Sequence, residues 1–365
     1  MYDDFIDNGN QVSYELYRKL FDQQNIGFGA TSTDECEQCL RYERHKAQVS
    51  ESEHSPEECS ICSEAKIHID KASEARKLYR EDIIRPNCYS VDMQKVLIIP
   101  KLTTKESFFT SRLVCFNETF ASGSEGGKDY TIMWNEAVSG RKAADVASSY
   151  TKFFTETGEK TPIFWADNCA GQNKNWTLYT AFVTLVNCEW GPDEITVKYF
   201  EPGHSFMKAD TVHGLIGKKL KRTPEVITFK DLTNLVSNSS SRIELVEMQC
   251  DDFYKFVQGN RTRNTQNIKM PRLCELVEVK FVRGSKLLFY KQRHTSEEYT
   301  GVEFLRVKFQ IEPVPGRAEV SRGISSKKKA GILEILQHVQ PLQRKFYSDL
   351  RTNDASLDLV SRFDL

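Results

Sequence analysis

The sequence predicts an α/β protein in which helices flank a mixed β-sheet, with a cysteine-containing helical segment before the sheet and a β-rich subdomain after it. Two patterns support this fold class. Residues 88–137 contain three short runs rich in aromatic and branched side chains, separated by turns, which predicts antiparallel strands. Residues 141–222 alternate between helix-like and strand-like runs, which is typical of a parallel arrangement. Together they predict one mixed sheet.

The composition restricts the class of protein. A hydrophobic fraction of 39% and a charged fraction of 28% are typical of a soluble globular chain. The sequence has no apolar run long enough to span a membrane and no apolar signal core near its start, so we expect neither a membrane protein nor a secreted one. Because the net charge is −1, any contact with nucleic acid must come from local basic groups.

The composition shifts along the chain predict four regions. They are a helical segment at 1–85, the sheet domain at 86–225, an α+β extension at 226–351 and a loose tail at 352–365. The first region begins with an amphipathic helix at about 12–24 and continues with a charged helix at about 63–82.

Two Cys-x-x-Cys pairs lie in the first region. The pairs are Cys36 with Cys39 and Cys59 with Cys62, a spacing typical of zinc ribbons. Each pair can present two thiolates from one turn, so the sequence predicts a structural Zn²⁺ site. The histidines that could replace one cysteine are His45, His54 and His68. The alternative is four free thiols in a charged segment.

The elements of the sheet domain follow in a regular order. Strands are predicted at 88–92, 108–119, 129–137, 162–166 and 194–200, and helices at 141–157, 172–187 and 209–221. In the extension, strands are predicted at 242–248, 276–283, 286–290 and 302–311, and helices at 229–236 and 327–351.

Three acids end or follow these elements. Asp92 ends the first strand, Asp167 ends the fourth, and Asp210 begins the last helix of the sheet domain. The first and fourth strands are neighbours in a sheet of this order, so the acids could meet. Close carboxylates need a cation, and oxygen ligands select Mg²⁺ or Mn²⁺. The alternative is that the acids only cap helices, Asp210 its own helix in particular.

Polar residues beside these acids could contact a phosphate substrate. Asn168, Gln172 and Lys174 directly follow Asp167, where a helix begins. His204 precedes Asp210 and could bind a phosphate or transfer a proton. The alternative is an ordinary polar turn and a structural histidine.

Three blocks carry a resemblance to a known family. They are Ser90-Val91-Asp92-Met93-Gln94-Lys95, Trp165-Ala166-Asp167-Asn168-Cys169-Ala170-Gly171-Gln172-Asn173-Lys174-Asn175 and Pro202-Gly203-His204-Ser205-Phe206-Met207-Lys208-Ala209-Asp210. These blocks resemble a group of transposon-derived proteins that carry a domain of unknown function, itself similar to the RNase H-like catalytic domain of DDE/DDD transposases and integrases. The resemblance covers roughly residues 10–350.

The resemblance implies an RNase H-like sheet and metal-dependent DNA cleavage or strand transfer, with Asp92, Asp167 and Asp210 as catalytic metal ligands. DDE enzymes usually supply Glu as the third acid, whereas the matching residue here is Asp210; Glu201 and Asp193 are poorer candidates. Because no DNA-reading module precedes residue 36, we expect a truncated element.

The function that we expect is that of a transposase-derived nuclease or its relic, with DNA and a second copy of the chain as candidate partners and the nucleus as its location. The alternative is a catalytically inactive, domesticated module that binds DNA or protein. A third hypothesis is a zinc-stabilised scaffold in which the acids are only caps.

Overall fold

The computed structural model describes most of the chain. The described residues are 36–49, 57–260 and 271–355, together with Ser13, Leu16 and Ser55. The chain divides into two compact units, residues 1–65 and residues 66–365. Nearly all of the helix predicted at 12–24 therefore lies outside the described residues, as does the tail beyond 355.

The described residues contain both helices and strands. The helices are α1 (Glu37–Gln48), α2 (Ser60–Asp82), α3 (Glu106–Phe109), α4 (Ala143–Thr157), α5 (Trp176–Asn187), α6 (Lys208–Arg222), α7 (Phe229–Ser237), α8 (Ser326–Ile335) and α9 (Pro341–Ser348). The strands are β1 (Cys88–Met93), β2 (Leu97–Ile99), β3 (Leu113–Ser122), β4 (Asp129–Asn135), β5 (Ile163–Ala166), β6 (Glu194–Tyr199), β7 (Ile243–Glu247), β8 (Glu278–Val282), β9 (Leu288–Lys291) and β10 (Thr300–Val302). No helix in this part of the chain is long and apolar enough to cross a bilayer.

One mixed sheet organises the second unit. Its strand order is β10-β9-β8-β6-β5-β1-β3-β4-β7, and β2 pairs with β3. Strand β1 lies antiparallel to β3 on one side and parallel to β5 on the other, and β5 lies parallel to β6. The prediction of a mixed α/β sheet is confirmed, and so is the predicted pairing of the strands that end on Asp92 and precede Asp167.

Apolar side chains cover both faces of the sheet. Tyr89, Val91 and Met93 of β1 pack in one core with α4 and α5, while Cys88 packs in a second core with α6, α7 and α8. Alternation along β1 divides its side chains between the faces, as the twofold period of a strand requires. Helices on both faces leave the strand ends as the accessible part of the sheet.

The sequence-based elements differ from the structure in several places. The strand predicted at 108–119 begins only at Leu113, after α3. The run at 302–311 is strand only at Val302, and beyond it Leu305 forms an isolated bridge with Asn260 rather than a continuous strand. The helix expected at 327–351 is divided into α8 and α9, since Pro341 cannot continue a helix and begins a new one. Strands β7 to β10, expected in a separate subdomain, instead extend the central sheet at both of its edges.

A buried acid fastens α2 to the sheet. The side chain of Asp82, at the end of α2, is 4% exposed. Its Oδ2 accepts hydrogen bonds from Trp165 Nε1 of β5 at 3.0 Å and from Lys198 Nζ of β6 at 2.7 Å. A charged group pays a large desolvation cost on burial, and these two donors offset it. The end of α2 is thereby fixed over the central parallel strands.

A second buried ion pair fastens the C-terminal helices. Lys328 of α8 has a fully buried ammonium group that contacts Glu136, which follows β4 and is 1% exposed. Glu136 Oε1 also accepts a hydrogen bond from Val114 N of β3 at 2.9 Å. Breaking one partner of such a pair leaves a buried charge without compensation.

We predict that Lys328→Met lowers the free energy of unfolding by about 3 kcal/mol, because Glu136 then loses its buried counterion. The neighbouring Lys327 is exposed, so Lys327→Met should change stability by less than about 0.5 kcal/mol. Urea unfolding of both variants measures the difference. Equal stabilities would show that the buried pair contributes nothing.

Candidate metal centre

Two of the predicted acids lie at the ends of neighbouring parallel strands. In the register of β1 with β5, Val91 lies opposite Ala166, so Asp92 and Asp167 are the next residues on adjacent strands. Because both strands run in the same direction, their carboxyl ends meet at one edge of the sheet. The fold therefore brings these two residues to the same edge of the sheet, where Asp167 contributes to the raised pKa of Asp92. Asp167 is not part of the group of ligand atoms that lies within 4.8 Å around Asp92.

The third acid reaches the same place from α6. Ligand atoms of Asp92, Asp210 and His213 all lie within 4.8 Å of one another. Asp210 Oδ2 also accepts a hydrogen bond from Met207 N at 2.8 Å, so the acid caps its own helix. Capping and clustering are thus compatible, because the cap holds the carboxylate at the first turn of α6, beside Asp92.

The alternatives for the third acid are engaged elsewhere. Asp193 Oδ1 accepts a hydrogen bond from Arg283 Nε at 2.7 Å. Glu201 Oε1 lies 3.0 Å from His68 Nδ1. Asp210 therefore remains the candidate whose carboxylate lies with Asp92.

The electrostatics of this cluster disfavour three ionised acids. Burial raises the pKa of Asp92 to about 8, and repulsion from Asp167 and Asp210 adds to the shift. A carboxyl group with such a pKa holds its proton at neutral pH unless a cation replaces it. The arrangement therefore fits a cation-binding site.

A fourth acid lies close by and was missed in the sequence. Glu118 of β3 is fully buried, and neither of its carboxylate oxygens has a hydrogen-bond partner among the described residues. Burial raises its pKa well above the usual range, and Asp92 and Asp167 add to the effect. The available signal was an acid within the strand predicted at 108–119, between the aromatic residues Phe116 and Phe120, where a charge is costly.

His213 is a second residue with a missed role. It lies one turn after Asp210 on α6, and its Nδ1 is 3.7 Å from Asp92 Oδ2. Burial lowers the pKa of His213 to about 4, so the ring is neutral at physiological pH. Its Nε2 has no hydrogen-bond partner within the described part of the chain. A neutral imidazole here can bind a metal ion or accept a proton.

The turn after β5 orients Asp167. Its Oδ1 accepts hydrogen bonds from Cys169 N at 3.0 Å and from Asn173 Nδ2 at 2.9 Å. Asn173 is itself fully buried and accepts a hydrogen bond from Tyr150 of α4 at 3.3 Å. The cap of α5 is Asn175, which accepts from Leu178 N. Asp167 is therefore not a helix cap. Both of these hydrogen bonds use its Oδ1, and its Oδ2 takes part in neither.

Two of the predicted substrate contacts are used inside the protein. Lys174 is 4% exposed and donates to Asn168 Oδ1 at 2.6 Å and to Leu276 O at 2.5 Å. Asn168 Nδ2 donates to Phe200 O, which follows β6. These bonds fix the turn to its neighbours, and burial lowers the pKa of Lys174 to about 8.

The other two predicted substrate contacts lie in different surroundings. Gln172 is partly exposed, and its backbone carbonyl accepts a hydrogen bond from Asn175 Nδ2 at 3.0 Å. His204 Nε2 lies 3.0 Å from His68 Nε2. Of the four predicted substrate contacts, Gln172 is thus the one in the turn whose side chain could still contact a substrate.

The predicted zinc ligands divide into pairs. Within the first unit, ligand atoms of His45, Cys59 and Cys62 lie within 4.8 Å of one another, and His45 Nε2 is 3.3 Å from Cys59 Sγ. Cys36 and Cys39 interact with each other at the start of α1, and burial followed by this contact raises the pKa of Cys39. No group of this kind among the described residues contains all four cysteines.

The histidine ligands also differ from the sequence-based set. Of the three histidines that were predicted as possible replacements for a cysteine, His45 is the one that lies beside Cys59. Backbone hydrogen bonds lower the pKa of the Cys59 thiol, which favours the thiolate that zinc binds. His68 lies in the second unit, next to Glu201 and His204. A zinc centre within the first unit thus remains a prediction with a changed ligand set.

Comparison with protein-family models gives a match over part of the chain. Residues 159–296 match a family model described as a domain of unknown function, DUF7869. The matched segment includes Asp167, Asp210 and His213 but begins after Asp92. No curated protein and no solved structure matches the chain.

We predict that Asp92→Asn stabilises the metal-free protein increasingly as pH rises from about 4 to about 8. The native carboxyl, with its pKa raised to about 8, holds a proton that the unfolded chain has lost, so wild-type stability falls across this range. The side chain is 22% exposed, so solvent screens part of the effect, and we expect about 2 kcal/mol at pH 8.

Urea unfolding of both proteins from pH 4 to pH 8, in zinc-containing buffer without magnesium or manganese, measures this difference. Addition of Mn²⁺ should stabilise the wild type and reverse the order at pH 8. A difference that does not vary with pH would contradict the shifted pKa.

Proposed function

We propose that this protein is a transposase-derived, RNase H-like phosphodiesterase that cleaves or joins DNA with divalent metal ions. The observation that carries the proposal is the convergence of Asp92, Asp167 and Asp210 at one edge of the sheet, where burial and, in addition, repulsion from the other two acids raise the pKa of Asp92 to about 8. A protein gains no stability from carboxylates that lie close together, whereas a cation site requires them.

The order of the strands supports the same proposal. Three antiparallel strands, β1, β3 and β4, precede the helix–strand alternation of β5 and β6, and the first of them pairs in parallel with β5. An RNase H-like sheet has this arrangement, with acids at the ends of its two adjacent central strands. Asp92 and Asp167 occupy those positions.

The donor atoms favour a particular class of metal ion. Asp92, Asp167 and Asp210 offer carboxylate oxygens, which suit Mg²⁺ and Mn²⁺. When bound, such ions activate a water or a 3′-hydroxyl and stabilise the leaving oxygen in phosphodiester chemistry. The chain's own residues hold this geometry, since Asn173 orients Asp167 and the helix cap orients Asp210. The neutral His213 is placed to accept a proton beside Asp92.

Basic side chains on α6 support DNA as the substrate. Lys218, Lys221 and Arg222 are exposed at the end of the helix that begins with Asp210. Exposed cations bind phosphates, so a backbone held there would lead towards the acids. A second run of basic residues, Lys327–Lys329, provides fewer charges for phosphate binding. Lys328 is buried, and Lys329 donates to Ser348 O and Leu350 O. A nuclear location follows from this substrate.

We further propose that Zn²⁺ binds at His45, Cys59 and Cys62 and stabilises the first unit. Two thiolates and one imidazole are ligands that zinc prefers, and metal binding by such a segment contributes directly to its folding. This centre would be structural, because it lies in the unit that does not contain the acids.

The proposal is tested by metal binding and DNA cleavage. We predict that Mn²⁺ binding, measured by calorimetry in zinc-containing buffer, is lost in Asp92→Asn/Asp167→Asn. Cleavage of linear and branched DNA should disappear with it. Absence of Mn²⁺ binding in the wild type would contradict the proposal and favour a catalytically inactive module that binds DNA or protein.

A matched control separates metal binding from helix capping. Asp231 caps α7 through Thr228 N at 2.8 Å, just as Asp210 caps α6. Asp231→Asn and Asp210→Asn should each cost about 1 kcal/mol of stability. Only Asp210→Asn should weaken Mn²⁺ binding, by more than about tenfold. Equal metal affinities in the two variants would remove Asp210 from the site.

A further inference from the structure

The loop that leads to Asp210 contacts α2 at several points. This loop, residues 200–207, connects β6 to α6. His68 of α2 contacts Glu201 and His204, Arg76 donates to Phe206 O, and the hydroxyl of Tyr79 accepts a hydrogen bond from Lys208 N at 2.7 Å. Because α2 is itself fixed to the sheet through Asp82, it acts as a brace for the loop.

Two ring nitrogens face each other in this brace. His68 Nε2 and His204 Nε2 are 3.0 Å apart, and the ring planes are inclined at 57°. The other nitrogen of His68, Nδ1, lies 3.0 Å from Glu201 Oε1. The three side chains therefore form a chain of contacts from carboxylate to imidazole to imidazole.

The carboxylate determines which nitrogen of His68 carries the proton. A neutral His68 that donates its Nδ1–H to Glu201 presents a lone pair at Nε2, directed at His204. Metal-binding histidines are oriented by a carboxylate in this way. Two nitrogens bound to one tetrahedral zinc ion lie about 3.3 Å apart, given Zn–N bonds of about 2.0–2.1 Å, which is close to the separation seen here.

We infer that His68 and His204 are two ligands of a structural zinc ion, with Glu201 as the carboxylate that orients His68. The ion would join the loop to α2 and so fix the start of α6, where Asp210 lies. His68, Glu201 and His204 all lie within the second unit, and the inference depends neither on Cys59 nor on the acid cluster. It also gives His204 a role other than a substrate contact. The competing interpretation is a simple hydrogen bond between two imidazoles.

Zinc content per chain tests the inference. We predict that His204→Ala contains one zinc ion fewer than the wild type. His338→Ala, which removes an exposed histidine in the turn between α8 and α9, should contain the same number. Cys59→Ser should lose a different ion, so His204→Ala/Cys59→Ser should lose both. Equal zinc content in His204→Ala and His338→Ala would overturn the inference.

Cobalt substitution gives a readout that a hydrogen bond alone cannot produce. Co²⁺ should replace zinc in the wild type and give the strong visible absorption of a tetrahedral site, part of which disappears in His204→Ala. His204→Cys retains a ligand and should keep the ion while increasing the sulfur-to-cobalt absorption. Unchanged spectra in both variants would show that His204 binds no metal.

Glu201→Gln tests the orienting role separately. The amide keeps the shape of the side chain but removes the charge, so we expect zinc to remain but to bind about 10- to 100-fold more weakly in a competition with a chelating dye. An unchanged affinity would remove Glu201 from the site. Failure of Mn²⁺ binding at the acids would leave all three zinc experiments unaffected.

Discussion

The rest of the structure depends on one constraint, which is that several acids lie close together at one edge of the sheet, where they repel one another and are partly removed from water. Asp92 and Asp167 follow adjacent parallel strands, and Asp210 enters from the first turn of α6. Glu118 adds a fourth carboxyl near Asp92 and Asp167, and this one is fully buried. This arrangement lowers the stability of the metal-free fold, and the divalent cation that we propose would offset the cost by providing the opposite charge.

The surrounding elements keep the acids in place despite this repulsion. The turn after β5 is tied down by Asn173 and Lys174, and the end of α2 is fixed by Asp82 to β5 and β6. Asn173, Lys174 and Asp82 are each buried and each hydrogen-bonded to a neighbouring element, so no one of these segments can shift without breaking such a bond. A rigid frame of this kind would hold the proposed ligands in place before a cation binds, which is what a catalytic metal site requires.

Much of the central fold could be predicted from the sequence, because strand and helix periods are local signals. The sequence identified β1, β5 and their pairing, and it placed Asp92, Asp167 and Asp210 at element ends. It could not identify His213 or Glu118 as neighbours of the acids, since their positions depend on how α6 crosses the sheet and on the register of β3 with β1. The contact of His68 with His204 joins distant segments and has no local signal.

The ligand sets show the same limit. Cysteine spacing suggested one centre with four thiolates, whereas the fold places His45 beside Cys59 and Cys62. Lys174 looked like a phosphate contact because it follows Asp167 in a polar turn, but its ammonium group lies inside and bonds to Asn168 and Leu276. Residue type and spacing thus indicated the chemistry of each region, and tertiary packing decided which atoms face each other.

The most direct test is a crystal structure of the protein soaked with Mn²⁺, with the ion located by its anomalous scattering. An anomalous peak within bonding distance of both Asp92 and Asp167 is the predicted result, because these carboxylates share the edge of the parallel strands. A fully ordered edge of the sheet with no peak beside Asp92 would contradict a metal centre there.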